Sequence, residues 1–481
     1  MPLILPGNVA TATASTTFDV ANSVRMDGSS SYMTKTLGTP TDIDKYTFSF
    51  WCKRSKVGAQ QSIFRSTNGA ATNDSHVTFQ ADDTLRFEEY GGGATIGKLQ
   101  TNQVFRDVSA WYHIVLVYDS GNATAGNRMR MYVNGAEVTS FGTDTNPSQD
   151  ADSYFNKSGE VLSFGRTPYS GGSTYFDGYV AELVMCDGQA YAASDFGEYD
   201  SDSPQIWKPK DVSGLTFGNN GFYLDFEASD NLGNDANGGT DFTEAGLAAI
   251  DQTTDTCTNN FATLNPLDNV QSDATYSEGN CKWATSTNGH YFWGRSTIGV
   301  SASKWYMEFK ATSIPEHGYF GICVDGPDDN TTFLTNGGRN DHVEYGYKTS
   351  DGDSYTNTGS SSYGDTYDDG DIIGVALDLT NNKLYFSKNG TWQNSGDPTS
   401  GATGTGAISI TAAASNGFGE YFFCCADGTA GTSGTFEANF GNPTFSISSS
   451  NADDNGYGNF EYDVPAGYLA LCTKNLGSDG G

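Results

Sequence analysis

Basic residues are what this chain has least of for its size: 25 lysines and arginines stand against 58 aspartates and glutamates, a formal net charge of -33 over 481 residues. A phosphate-binding surface needs clustered bases, so the balance argues against a nucleic-acid partner and suits an exposed protein bathed in salt or divalent cations. Residues 211–270 contain no lysine or arginine at all. Long apolar runs are also missing. The N-terminal MPLILPGNVA has only a few consecutive apolar residues, a proline on each side and no basic start. It therefore fits neither a secretion signal nor a membrane span, and the chain is expected to be made in a cytoplasm without membrane insertion. None of the eight cysteines has CxxC spacing, and Cys424-Cys425 lies inside the apolar run YFFCCA. They read as buried thiols in a reducing compartment, with a Cys257–Cys281 disulfide as the alternative.

Methionine (7) and proline (13) are few, whereas glycine (59), phenylalanine (29) and tyrosine (27) are plentiful. Aromatic residues and glycine without helix formers describe short strands joined by tight turns, so the fold class is all-β. Between residues 18 and 210, runs such as YTFSFWCKRS, WYHIVLVYDS and FDGYVAELVMCD recur at short intervals. Phe48 with Phe50, and Tyr112 with Ile114 and Leu116, alternate toward a core, and Asn134-Gly135 is a preferred hairpin turn. The second half contains GDIIGVALDLTNNKLYFSKNGTW, residues 370–392. Its alternation through Ile373, Val375 and Leu377, a turn at Asn381-Asn382 and a return through Leu384 and Phe386 predict a β-hairpin.

That hairpin resembles the signature of the SPRY family. Lys304-Trp305-Tyr306-Met307-Glu308 resembles the family's KWYWEV strand, and Phe436 to Asn442 its closing NFG element. YTFSFWCK from Tyr46, WYHIVLVYD from Trp111, RMRMYVNGAEV from Arg128 and FDGYVAELVM from Phe176 resemble, in order, the strands of laminin-G-like or concanavalin A-like jelly rolls. TNNFATLNPLD resembles connectors, and VPAGYLALCTKNLG the endings, of structural proteins of phages. Together these imply two tandem β-sandwiches joined by an extended connector. The expected division is a docking arm (1–17), a jelly roll (18–210), a final strand and acidic connector (211–270), a SPRY-like sandwich (271–450) and a C-terminal strand and tail (451–481).

Candidate sites follow from the loops. Calcium takes hard oxygen ligands, and the rim carboxylates of laminin-G-like domains point to Asp27, Asp74 and Asp177 as Ca²⁺ ligands, although Asp-Gly is equally an ordinary turn pair. SPRY domains bind through loops at one end of the sandwich, which here imply Tyr291, Trp293, Asn340, Tyr355, Tyr363 and Tyr367. The run DGDSYTNTGSSSYGDTYDD mixes tyrosine with small polar residues, as binding loops do, and reads equally as a solvated loop. The five histidines have no metal spacing. No Glu-x-Asp-x-x-Glu run, GxSxG or phosphate loop occurs, so no catalytic residue is assigned.

The resemblances imply a non-enzymatic virion protein of a bacteriophage, a tail fibre or a head-decoration fibre. Its arm would meet other virion proteins and its loops a host glycan or receptor. No heptad or β-helix repeat supports the trimer usual in fibres. A surface lectin or adhesin and a tailspike depolymerase are the alternatives.

Overall fold

The computed structural model describes residues 18–69, 72–168, 174–201, 203–268, 273–287, 292–315, 317–324, 344–356, 359–428 and 431–479. The chain divides into two compact units, residues 1–260 and 261–481. The N-terminal arm lies outside the described residues.

The first unit is a sandwich of two eight-stranded antiparallel sheets. At the middle of one sheet, strand Lys45–Arg54 pairs with Trp111–Asp119 on one side and Asp177–Asp187 on the other. Tyr46, Phe48, Phe50 and Cys52 point into the core with Ile114, Leu116 and Tyr118, as the period-two pattern requires. The opposite face of these strands is also covered: Trp51, Val115, Val117 and Tyr179 pack with Phe196, Trp207 and Phe217. At the Asn134-Gly135 turn both residues have positive φ, 47° and 79°, the geometry of a two-residue hairpin.

His113 sits in that outer layer, stacked 4.7 Å from Trp51 and 5.9 Å from Trp207. Trp207 Nε1 donates to its Nδ1 at 2.9 Å, so the ring proton is on Nε2, which donates to Ser49 Oγ at 2.9 Å. Burial pushes its pKa down to about 3.

The base-free stretch is extended and turn-rich; up to residue 260 it closes the first unit, and from residue 261 it belongs to the second. Strands Phe222–Leu224, Thr243–Ala245 and Gln252–Thr253 pair with Asp177–Asp187, Tyr32–Thr36 and Ser23–Asp27 respectively. Its acids find their bases on the jelly roll: Asp235 with Lys35 at 3.4 Å, Asp251 with Arg25 at 3.9 Å and Asp255 with Lys53 at 2.8 Å. The missing lysines and arginines are thus supplied from elsewhere in the fold.

The second unit pairs a nine-stranded with a six-stranded sheet. The expected hairpin forms from Ile372–Asp378 and Lys383–Lys388, with Asp378 opposite Lys383. Ile373, Val375, Leu377, Leu384 and Phe386 enter the core. The reverse face, carrying Tyr306, Ala376 and Tyr385, packs on Phe460, Tyr468 and Cys472 of the C-terminal segment. Strand Leu469–Ala470 runs parallel to Lys304–Ser313, and the chain ends in a helix, Thr473–Asp479, where only a strand and tail were expected. Asn475 anchors that helix through Nδ2, which donates to Asp453 at 2.6 Å and to the Ala470 carbonyl at 2.8 Å.

The eight cysteines are thiols, seven of them buried, so the alternative Cys257–Cys281 disulfide does not form. Burial pushes the thiols of Cys52 and Cys186 up to about 12.

Candidate binding surfaces

In the six-stranded sheet, neighbouring strands Phe292–Arg295, Phe422–Asp427, Gly318–Cys323, Glu344–Lys348 and Asp353–Thr356 set an outward row by register. Trp293 lies opposite Ala426, Ala426 opposite Tyr319, and Tyr319 opposite Lys348. Tyr319 meets Tyr355 edge-to-face at 5.4 Å. Lys348 Nζ donates to Asp351 at 2.8 Å and to the Tyr355 hydroxyl at 3.4 Å, while that hydroxyl donates to Asp351 at 3.2 Å. Burial disfavours the ammonium, but its hydrogen bonds to Asp351 and Tyr355 prevail and raise its pKa. At the other end Arg295 lies 4.6 Å from the Phe422 ring and pairs with Asp268. Tyr355 and Arg295 are the half-buried members of this row, whereas Trp293, Tyr319 and Lys348 are buried beneath it.

Trp293 and Tyr355 therefore belong to one surface, Trp293 mostly covered and Tyr355 half-buried. Tyr363 and Tyr367 do not join them. Tyr367 is 1 % exposed, stacks 5.7 Å from Phe320 and donates to the Tyr347 carbonyl at 2.8 Å. The Tyr363 hydroxyl accepts from the Phe386 amide at 3.2 Å beneath the sheet. After the short strands Asp353–Thr356 and Gly359–Ser362 the loop folds back, so these tyrosines fill the core instead of standing in solvent. Tyr291 and Asn340 lie outside the described residues. Tyr319, Lys348 and Arg295 escaped the sequence reading because only strand register puts them beside Trp293 and Tyr355.

At the rim of the first unit, Asp27 and Asp177 face each other directly across paired strands. Asp27 is already committed: its carboxylate accepts from the amides of Ser29, Ser30 and Ser31 at 3.0, 2.8 and 2.9 Å, and from the Ser29 hydroxyl at 2.8 Å. Burial raises its pKa, but these serine hydrogen bonds outweigh burial and lower it overall. Asp177 crowds Gly28, where a Cβ would lie 2.7 Å from its Oδ2 at a φ of 70°, so the turn requires glycine. Asp74 is away from this pair, in a two-pronged ion pair with Arg65. Among the described residues no group of three or more acids, histidines or cysteines could hold a metal ion. The three carboxylates do not assemble the expected Ca²⁺ site, because two serve local structure and the third faces only one of them.

Residues 27–192 match the family model of the concanavalin A-like lectin/glucanases superfamily, and residues 304–424 match the SPRY domain. The chain carries a concanavalin A-like domain followed by a SPRY domain. Over 94 residues, 19% of this chain, it is 34% identical to Ran-binding protein 9 of Danio rerio and of Homo sapiens. Those stretches are 15% and 12% of the relatives, so the chain spans only a small part of their length. Among solved structures it is similar to the SPRY domain of human HERC1, at 15% identity and a TM-score of 0.28 over 36% of this chain and 96% of that one. The Limulus polyphemus SAP-like pentraxin is similar at 15% identity and a TM-score of 0.28, over 36% of this chain and 80% of that one. Tyr319, Lys348 and Tyr355 fall within the residues matched to the SPRY domain, and Trp293 lies just before them; of these four only Tyr355 is half-buried, the others being covered.

Proposed function

We propose that this chain is a non-enzymatic structural protein of a bacteriophage particle, a tail fibre or head-decoration fibre whose β-sandwiches bind a glycan or a protein. The observation that carries the reading is the meeting of two phage-like segments. The Ala262 amide donates to the Leu471 carbonyl at 3.0 Å and Phe261 bridges to Cys472, so FATLNP and PAGYLALC, some two hundred residues apart, form one seam of the SPRY unit. Each resemblance alone is short; joined in one structural element, they mark a module used as a whole.

The buried acids support a binding role over catalysis. Glu89 accepts from Tyr46, Ser75 and Ser153 at 2.7, 2.5 and 2.5 Å. Glu308 accepts from Asn439 and from the amides of Glu461 and Tyr462 at 3.0, 3.0 and 2.9 Å. Both are structural acceptors with no access to substrate.

Mass spectrometry of density-purified particles with immunogold labelling tests the proposal. The protein is expected on particles at stoichiometric copy number; recovery only from the soluble lysate overturns it.

A further inference from the structure

Lys53 stands where a lysine is seldom found. It lies near the end of the central strand Lys45–Arg54, and register puts Trp111 and Tyr179 opposite it on the two neighbouring strands. All three side chains are buried, and the ammonium lies 5.3 Å from the centre of the Tyr179 ring. A lysine is almost never enclosed in this way unless it is paired.

Two partners reach it from the end of the base-free stretch. The Thr256 amide donates to the Asn259 carbonyl at 3.1 Å and the Asn259 amide to the Thr256 carbonyl at 3.2 Å, closing a tight turn. The residues flanking that turn, Asp255 and Asn260, therefore come side by side. Lys53 Nζ donates to Asp255 Oδ2 and to Asn260 Oδ1, each at 2.8 Å. Both partners are held in place. Trp111 Nε1 donates to Asp255 Oδ1 at 3.1 Å, and Asn260 Nδ2 donates to the Ser109 carbonyl at 2.6 Å. Asp255 alone would complete an ion pair. The Asn260 carboxamide, buried and aimed at the same nitrogen, adds an electrophilic carbon beside a nucleophile.

We propose that Lys53 and Asn260, 207 residues apart, join in an amide bond made by the folded chain itself, with Asp255 as the proton carrier. Asp255 first takes a proton from the Lys53 ammonium, which turns two buried charges into two neutral groups. The freed lone pair on Nζ attacks Asn260 Cγ, and the carbonyl pair moves onto Oδ1. Asp255 then gives its proton to Nδ2. The oxygen pair re-forms the carbonyl, the Cγ–Nδ2 bond breaks, ammonia leaves, and the surplus proton on the new amide nitrogen returns to Asp255. No oxidant or added reactant is needed. Fixed proximity supplies what an ordinary amine and amide lack in water. The side chains are separate in the structure, which shows the reactants; until the bond forms, the ion pair alone holds this joint.

The reaction happens once per chain and is no turnover of substrate. Asn260 is the last residue of the first unit. The bond would tie the exit of that unit to the middle of its sheet, so a pull on the chain beyond it would load a covalent bond instead of the short strand Gln252–Thr253. This inference does not depend on the virion reading.

Peptide mapping of the denatured full chain by tandem mass spectrometry tests it. The peptide containing Lys53, uncut by trypsin at that residue, is expected joined to the peptide containing Asn260, their summed mass lower by one ammonia. Asn260→Ala and Asp255→Asn should each give the two peptides unlinked. Asn260→Ala also controls for ammonia lost by succinimide formation at an Asn-Gly pair, which it would leave unchanged. Unlinked peptides from the parent chain, or a link that persists in either variant, overturns the proposal.

Discussion

Lys53 Nζ lies 2.8 Å from the Asp255 carboxylate, and both side chains are buried, at 1% and 0% exposure. Asn260 Oδ1 accepts from the same ammonium at 2.8 Å, and Trp111 Nε1 donates to the other Asp255 oxygen at 3.1 Å. This pair fastens the end of the base-free stretch to the central strand of the jelly roll. Removing one partner leaves a buried charge unmatched. Asp255→Ala is therefore expected to cost about 3–5 kcal/mol of first-unit stability in urea denaturation, and Lys53→Met with Asp255→Leu considerably less. Equal losses would show that the pair itself, rather than the unmatched charge, matters.

The His113 ring is neutral in the folded state, with its pKa pushed down to about 3 from 6.5. The unfolded chain takes up a proton first as pH falls. The contribution is fully present above pH 6.5 and is lost as pH drops toward 3. Melting temperature measured across this window should fall less steeply in His113→Gln than in the parent chain. Parallel curves would remove His113 as a source of acid lability.

Glu308 shows the opposite sign. Burial, opposed by hydrogen bonds from Glu461, Tyr462 and Asn439, raises its pKa from 4.5 to about 7. The folded state holds a proton that the unfolded chain has released, so its contribution is present below pH 4.5 and lost as pH rises toward 7. Glu308→Gln should flatten that decline in the melting of the second unit.

Tyr355 and Tyr367 separate surface from core. Tyr355→Ala should leave the melting temperature nearly unchanged and reduce ligand binding by the SPRY domain. Tyr367→Ala, which empties space beside Phe320 and Tyr347, should cost about 3–5 kcal/mol. Chemical denaturation of the two variants, side by side, checks the contrast.

The buried thiols should resist modification. Cys52 and Cys186, with pKa values near 12, are expected to react with a thiol reagent only after unfolding. Rapid labelling of either in the native protein, read by peptide mass spectrometry, would contradict their placement.

Much of the architecture was legible in the chain. Period-two alternation at Phe48 and Phe50, the Asn134-Gly135 turn and the Ile373–Leu377 hairpin report local geometry, since strand faces repeat every second residue. The site was less so. Tyr363 and Tyr367 share the composition of a binding loop with Tyr355, yet composition carries no information about which way a loop folds back. Asp27 looked like a ligand, but three successive serine amides close on it locally.

The sequence by itself determined the all-β class, the two sandwiches and the buried character of seven of the eight cysteines, because alternation and turn chemistry act over a few residues. Tertiary structure alone decided that acids at 235, 251 and 255 meet bases at 35, 25 and 53. It also decided that Arg65, His76, Glu88 and Lys98 share one row, and that Trp293, Tyr319 and Lys348 share another. Such rows depend on the register between paired strands, and a shift of one residue would turn every one of these side chains to the opposite face.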